Sequence, residues 1–88
     1  MFRINDNKGF QIKLDNGYMV SVQFGPGNYG SNYNLNMLEN MGKPMTALSA
    51  ETALIDPEGN FVVYKDDEVQ GHQTVSDVLE LLNYANSL

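Results

Sequence analysis

The 88-residue sequence has no cysteine, no tryptophan, a single histidine and only five basic residues. Without cysteine there is no disulfide, no thiolate metal site and no thiol nucleophile. One histidine excludes a histidine-clustered metal centre. No window approaches the roughly 20 apolar residues of a membrane span, and the opening stretch MFRINDNKGF lacks the apolar run of a secretory leader. The expected location is therefore a cytoplasm. Five scattered bases against 11 acids leave no footprint for the phosphate backbone of duplex nucleic acid. No nucleophile is tied to a base by a motif and no ionisable pair is placed by spacing, so neither an enzyme nor a cofactor is expected.

What is present is enough to fold. The chain is 42% hydrophobic and 18% charged, outside the range of disordered sequences. Its length allows one domain over residues 1–88. A domain of this size buries only about two-thirds of its unfolded surface, and with disulfides and metals excluded the remaining support is self-association. A homo-oligomer is expected. The charge is divided unevenly. Residues 1–50 are close to neutral, whereas residues 51–88 carry eight acids against Lys65 alone. Such an acidic half suits a basic groove on another protein.

Local patterning predicts an α+β fold. Phe10-Gln11-Ile12-Lys13-Leu14 and Tyr18 through Phe24 alternate apolar and polar, the period of half-buried strands. A two-residue Asn16-Gly17 loop would set their apolar rows on opposite faces. A three-residue loop Asp15-Asn16-Gly17 pairs Leu14 with Tyr18, Ile12 with Val20 and Phe10 with Val22, so burial selects it. A left-handed residue closes that turn, and Gly17 fits. A second hairpin spans Thr52-Ala53-Leu54-Ile55 and Phe61-Val62-Val63-Tyr64 around Asp56-Pro57-Glu58-Gly59-Asn60, with Ile55 opposite Phe61 and Ala53 opposite Val63. The expected strands are about 10–15, 18–24, 51–56 and 61–65, in one antiparallel sheet. Val75, Val78, Leu79, Leu82 and Ala85 form the apolar stripe of a C-terminal helix over about 75–86. Thr74 is its N-cap, with Asp77 in the first turn. Leu81, Tyr84 and Leu88 widen the stripe.

Residues 25–44 follow no apolar period and read as a long Gly-, Asn- and Tyr-rich loop, with a short helix over 35–41 ended by Gly42-Lys43-Pro44. Loops this long are often binding elements. Gly25, Gly27 and Gly30 spell G-x-G-x-x-G, but no parallel βαβ unit surrounds them, which excludes a dinucleotide fold. A glycine-rich turn can still aim N–H groups at an anion, or serve only to bring backbones close. Tyr29 and Tyr33 add stacking rings, and Asn28 and Asn32 add amide donors. The candidate ligand-binding residues are Phe24, Gly25, Gly27, Asn28, Tyr29, Asn32 and Tyr33. His72 lies in Gln70-Gly71-His72-Gln73, read as a turn at the helix entrance, near the acids Asp66, Asp67 and Glu68. Met37, Met41 and Met45 either cover the core under the loop or form an adaptable contact surface.

The stretch Lys8-Gly9-Phe10, Asp15-Asn16-Gly17, Ser21-Val22-Gln23-Phe24-Gly25-Pro26-Gly27-Asn28-Tyr29, followed by Ala50-Glu51 and Gly59-Asn60, resembles a family of small bacteriophage and prophage proteins. The resemblance covers nearly the whole chain. It implies a phage setting, and hence the cytoplasm of an infected bacterial host, but supplies no catalytic residue. Where that family often has a cysteine after Gly-Asn-Tyr, this chain has Gly30, so no thiol role carries over.

Two functions follow as expectations. The first is an anti-defence binding protein that sequesters a nucleotide-derived immune signal through the Gly-Pro-Gly-Asn-Tyr loop at a subunit interface. The alternative is an acidic inhibitor that binds a host defence protein through residues 51–88.

Overall fold

A computed structural model describes residues 2–4, 8–25, 29–30 and 46–88. Six strands and one helix follow in chain order: β1 (Phe2–Ile4), β2 (Gly9–Lys13), β3 (Met19–Gln23), β4 (Ala50–Ile55), β5 (Phe61–Val62), β6 (Val69–Gln73) and α1 (Val75–Asn86). The strands form one antiparallel sheet in the order β1-β2-β3-β4, with β5 and β6 both paired to the outer edge of β4. The α+β architecture with a C-terminal helix is the one expected.

Burial selects the first hairpin as argued. Ile12 stands opposite Val20 and Phe10 opposite Val22. The Leu14 N–H donates to the Tyr18 carbonyl at 2.8 Å, and Gly17 sits at φ +90°. Side chains alternate across the sheet, so Phe10, Ile12, Val20, Val22 and Leu54 share one face. Helix α1 packs on that face over β3, β4 and β6 and makes no close approach to β1 or β2.

The second hairpin departs from expectation after two residues. Ile55 pairs with Phe61 and Leu54 with Val62, but Ala53 then pairs with Val69, not Val63. The strand expected over 61–65 is interrupted by a six-residue excursion, 63–68. Val69 resumes the register that Val63 would have taken. Within the excursion Tyr64 and Asp67 exchange backbone hydrogen bonds of 2.8 and 3.3 Å. Lys65 and Asp66 between them both have positive φ, at 52° and 70°, the geometry of a type I′ turn. Buried Gln70 holds it in place, its amide donating to the carbonyls of Tyr64 and Asp67 at 2.7 Å each. The apolar run through Val63 and Tyr64 carried no mark of the break. Asp66→Gly relieves a left-handed side chain where a I′ turn prefers glycine. It is expected to raise Tm by a few degrees, about 0.5–1 kcal/mol, in a thermal melt.

Two strands went unforeseen. β1 extends the sheet beyond β2 with Phe2 opposite Ile12 and Ile4 opposite Phe10; three residues are too few for periodicity to register. β6 contains Gln70-Gly71-His72-Gln73, read above as a turn. His72 is exposed at the sheet edge, Gln70 is buried with its amide hydrogen-bonded, and the turn-like character of the stretch reports a bulge. Gly71 and His72 together oppose Glu51 alone, and His72 takes φ +52°.

The helix spans the expected residues, with Thr74 and Asp77 closing a reciprocal capping box. Its buried seam is rotated from the expected one. Leu81, placed off the stripe above, is 1% exposed, and Ala85 is fully buried. Val75 and Leu79, placed on the stripe, are 73% and 55% exposed. The far end is fastened by Asn16, whose side-chain amide donates to the Ala85 carbonyl at 2.8 Å and the Leu88 carbonyl at 3.2 Å. One hairpin turn thus caps the helix C-terminus.

Candidate functional site

An apolar groove opens where β3 ends, β4 begins and α1 starts. Its cavity volume is about 220 Å³. Val22 and Phe24 form the sheet wall, Val75, Val78 and Leu79 the helix wall, and Leu48 the outer rim. Ser49, Gln73 and Thr74 contribute the polar groups of the lining. The groove exists because the helix turns Val75 and Leu79 away from its own seam and toward the end of β3. At that point the T-shaped series Phe2–Phe10–Phe24, with ring centroids 6.4 and 6.3 Å apart, reaches the groove.

Of the residues singled out in the sequence, Phe24 lines this groove. Gly25 is buried beside Lys8, where a Cβ would fall 2.6 Å from the Lys8 Cβ. Tyr29 lies elsewhere, against the β4–β6 pair. Its N–H donates to the Glu51 carboxylate at 2.9 Å, and its carbonyl accepts from the His72 N–H at 2.7 Å. Gly30 is pressed onto the chain before β4, with room for a Cβ only 2.8 Å from the Ser49 carbonyl oxygen. Gly30 therefore serves close backbone approach, Gly25 leaves space for the Lys8 side chain, and the Tyr29 N–H is committed to Glu51. Gly27, Asn28, Asn32 and Tyr33 lie outside the described residues, as do the helix expected over 35–41 and the three spaced methionines. Sequence reasoning missed the helix wall of the groove. Its signal was an apolar stripe wider than one buried seam requires.

His72 occupies the β6 bulge and gives its backbone N–H to Tyr29. The bulge, not a catalytic constellation, sets its position. Asp66, Asp67 and Glu68 are all exposed on the excursion. Among the described residues no three of His, Asp and Glu gather closely enough to hold a metal ion, and no helix is long and apolar enough to cross a membrane.

Lys65 meets Glu80 at 3.3 Å and Asp77 at 3.7 Å, and the hydrogen bond to Glu80 raises the Lys65 pKa. The Asp77 carboxyl is held below its ordinary value, first by the Thr74 backbone N–H and then by the Thr74 hydroxyl. A carboxylate with a depressed folded value contributes stability that is present above its unfolded value. That contribution is lost as pH falls through the folded value. Thermal stability followed by far-UV circular dichroism is therefore expected to decline below about pH 4, with a shallower slope in Asp77→Asn.

Comparison with known proteins gives no matching family model, no similar curated protein and no similar solved structure.

Proposed function

We propose that the chain is a non-enzymatic binding protein that captures a small, flat, mostly apolar group in the groove beside the start of α1. The observation that carries this reading is the groove's composition: an apolar wall ending in the Phe24 ring, with Ser49, Gln73 and Thr74 as the polar residues of its lining, of which the Thr74 hydroxyl already engages Asp77 and the Gln73 amide the Gly71 carbonyl. Small-molecule sites are typically concave and apolar with a few polar groups that fix orientation. A nucleobase meets both halves of that description, stacking on an aromatic ring and using its edge for hydrogen bonds. In the phage setting implied by the resemblance, the ligand class is a nucleotide-derived immune signal, and the activity is sequestration. At about 220 Å³ the groove has room for one ring system and little beyond. Isothermal calorimetry against cyclic di- and trinucleotides and ADP-ribose compounds tests this. Binding by one of them, weakened at least tenfold by Phe24→Ala and by Leu79→Asp, is the expected result. No heat with any of them removes the nucleotide reading.

A second reading rests on a separate observation. Asp66, Asp67 and Glu68 stand exposed on the 63–68 excursion at the sheet edge. In this reading that acidic tip contacts a basic face of a host defence protein. Salt-dependent capture from host lysate, abolished by reversing the three charges, is the expected outcome. Capture of the same partner by the charge-reversed chain rejects it.

A further inference from the structure

Helix α1 lies over β3, β4 and β6, and among the described residues no helix or strand covers the same face of β1 and β2. Phe2 and Ile4 stand there 72% and 75% exposed. The helix's own outer flank, Val75 and Leu79, is exposed as well. The rings of Phe2, Phe10 and Phe24 join the two areas into one apolar band running from β1 to the groove.

We infer that a second copy of this chain covers that band across a two-fold axis, laying its α1 on the β1–β2 face and its β1 over the groove. The inference rests on the groove reading above and completes it, because the partner's Phe2 and Ile4 would close the open side of an undersized site. Three observations select a second copy as the occupant. The first is shape. The β1–β2 face suits a helix as its cover, and the chain carries a helix with an exposed apolar flank.

The second is charge. β1 and the stretch through β2, residues 2–13, carry Arg3, Lys8 and Lys13 against Asp6 alone, a surplus of bases. The excursion and α1 carry Asp66, Asp67, Glu68, Asp77 and Glu80 against Lys65. A two-fold arrangement sets the basic end of one copy beside the acidic end of the other, twice. A parallel stacking would oppose like charges.

The third is area. Phe2, Ile4, Val75 and Leu79 are four large apolar residues, each more than half exposed, a start on the roughly 800 Å² per partner that a stable dimer buries. The buried core within one copy is small. Among the described residues its apolar members are Val20, Val22, Leu54, Leu81 and three alanines.

The two-fold geometry predicts which residues meet. Because the chain contains no cysteine, introduced thiols report unambiguously. Ile4→Cys and Leu79→Cys chains, prepared separately and mixed under mild oxidant, are expected to form a covalent heterodimer, while each alone stays uncrosslinked. Sedimentation of the unmodified chain is expected to show a concentration-dependent dimer. Ile4→Asp and Leu79→Asp each raise its dissociation constant at least tenfold, with circular dichroism confirming that the fold is kept. Self-crosslinking of Ile4→Cys alone indicates edge pairing of β1 strands and overturns the inference. A monomer at 100 μM, an order-of-magnitude ceiling for a standard-sized interface, also overturns it. A monomer that still binds a nucleotide-type ligand sinks this dimer and spares the groove reading. The predicted crosslink with no ligand heat does the reverse.

Discussion

Leu81→Ala is expected to destabilise the protein by about 3 kcal/mol, lowering Tm by about 15 °C for a domain of this length. Leu79→Ala, half a turn away, is expected to lower stability by less than about 0.5 kcal/mol when measured dilute enough to keep the chain monomeric. The contrast follows from the phase of the helix. Leu81 is 1% exposed and packs with Val20, Val22, Leu54 and Ala85. Removing its side chain leaves a cavity at the only layer where sheet and helix meet. A core this small has no large neighbour among its buried members to collapse into the space. Leu79 faces out over the groove, so truncation there forfeits little burial. Urea melts of the two variants settle the phase. If Leu79→Ala costs as much as Leu81→Ala, the helix uses the seam that simple 3, 4, 7 spacing suggests, and the groove loses its helix wall.

The same comparison shows which features could be read before any coordinates. The first hairpin was legible because only one loop length puts Phe10, Ile12, Val20 and Val22 on one face, and a single-residue slip would have exposed them all. The cap at Thr74 was legible because it needs only local residues. The rotation of the helix seam was not. Val75, Val78, Leu79, Leu81, Leu82 and Ala85 spread over about 160° of the helix at roughly 100° per residue, wider than the roughly 100° of a single buried stripe, and sequence spacing alone does not say which part meets the sheet. That ambiguity was itself the trace of the groove, since apolar residues beyond one seam need a second use. The glycines were ambiguous for a different reason. A cradle for an anion and a close crossing of two backbones demand the same missing side chain. Gly30 against the Ser49 carbonyl belongs to the second kind, while Gly25 makes room for the Lys8 side chain.

Excising residues 63–68 is expected to leave the sheet intact. Leu54 already pairs with Val62 and Ala53 with Val69, so joining Val62 directly to Val69 continues one antiparallel edge strand with no change of register. The losses are the Tyr64–Tyr84 ring contact at 5.0 Å, the exposed Lys65 ion pairs and both carbonyl partners of the buried Gln70 amide. In the intact chain, by contrast, Gln70→Ala is expected to destabilise by about 2–4 kcal/mol, because the carbonyls of Tyr64 and Asp67 lose their side-chain donor and a buried side chain is deleted. In the excised chain those carbonyls are gone, and Gln70→Ala should lose half that effect or more. Denaturant melts of the four proteins form a double-mutant cycle that isolates the coupling. A Gln70→Ala effect equal in both backgrounds would mean that Gln70 acts only through packing and its contact with Thr52. The excised chain also separates the two functional readings. It lacks Asp66, Asp67 and Glu68 but keeps Phe24, Val75 and Leu79. Ligand binding in the groove should survive the excision unchanged, whereas capture of a basic partner through the acidic tip should disappear with it.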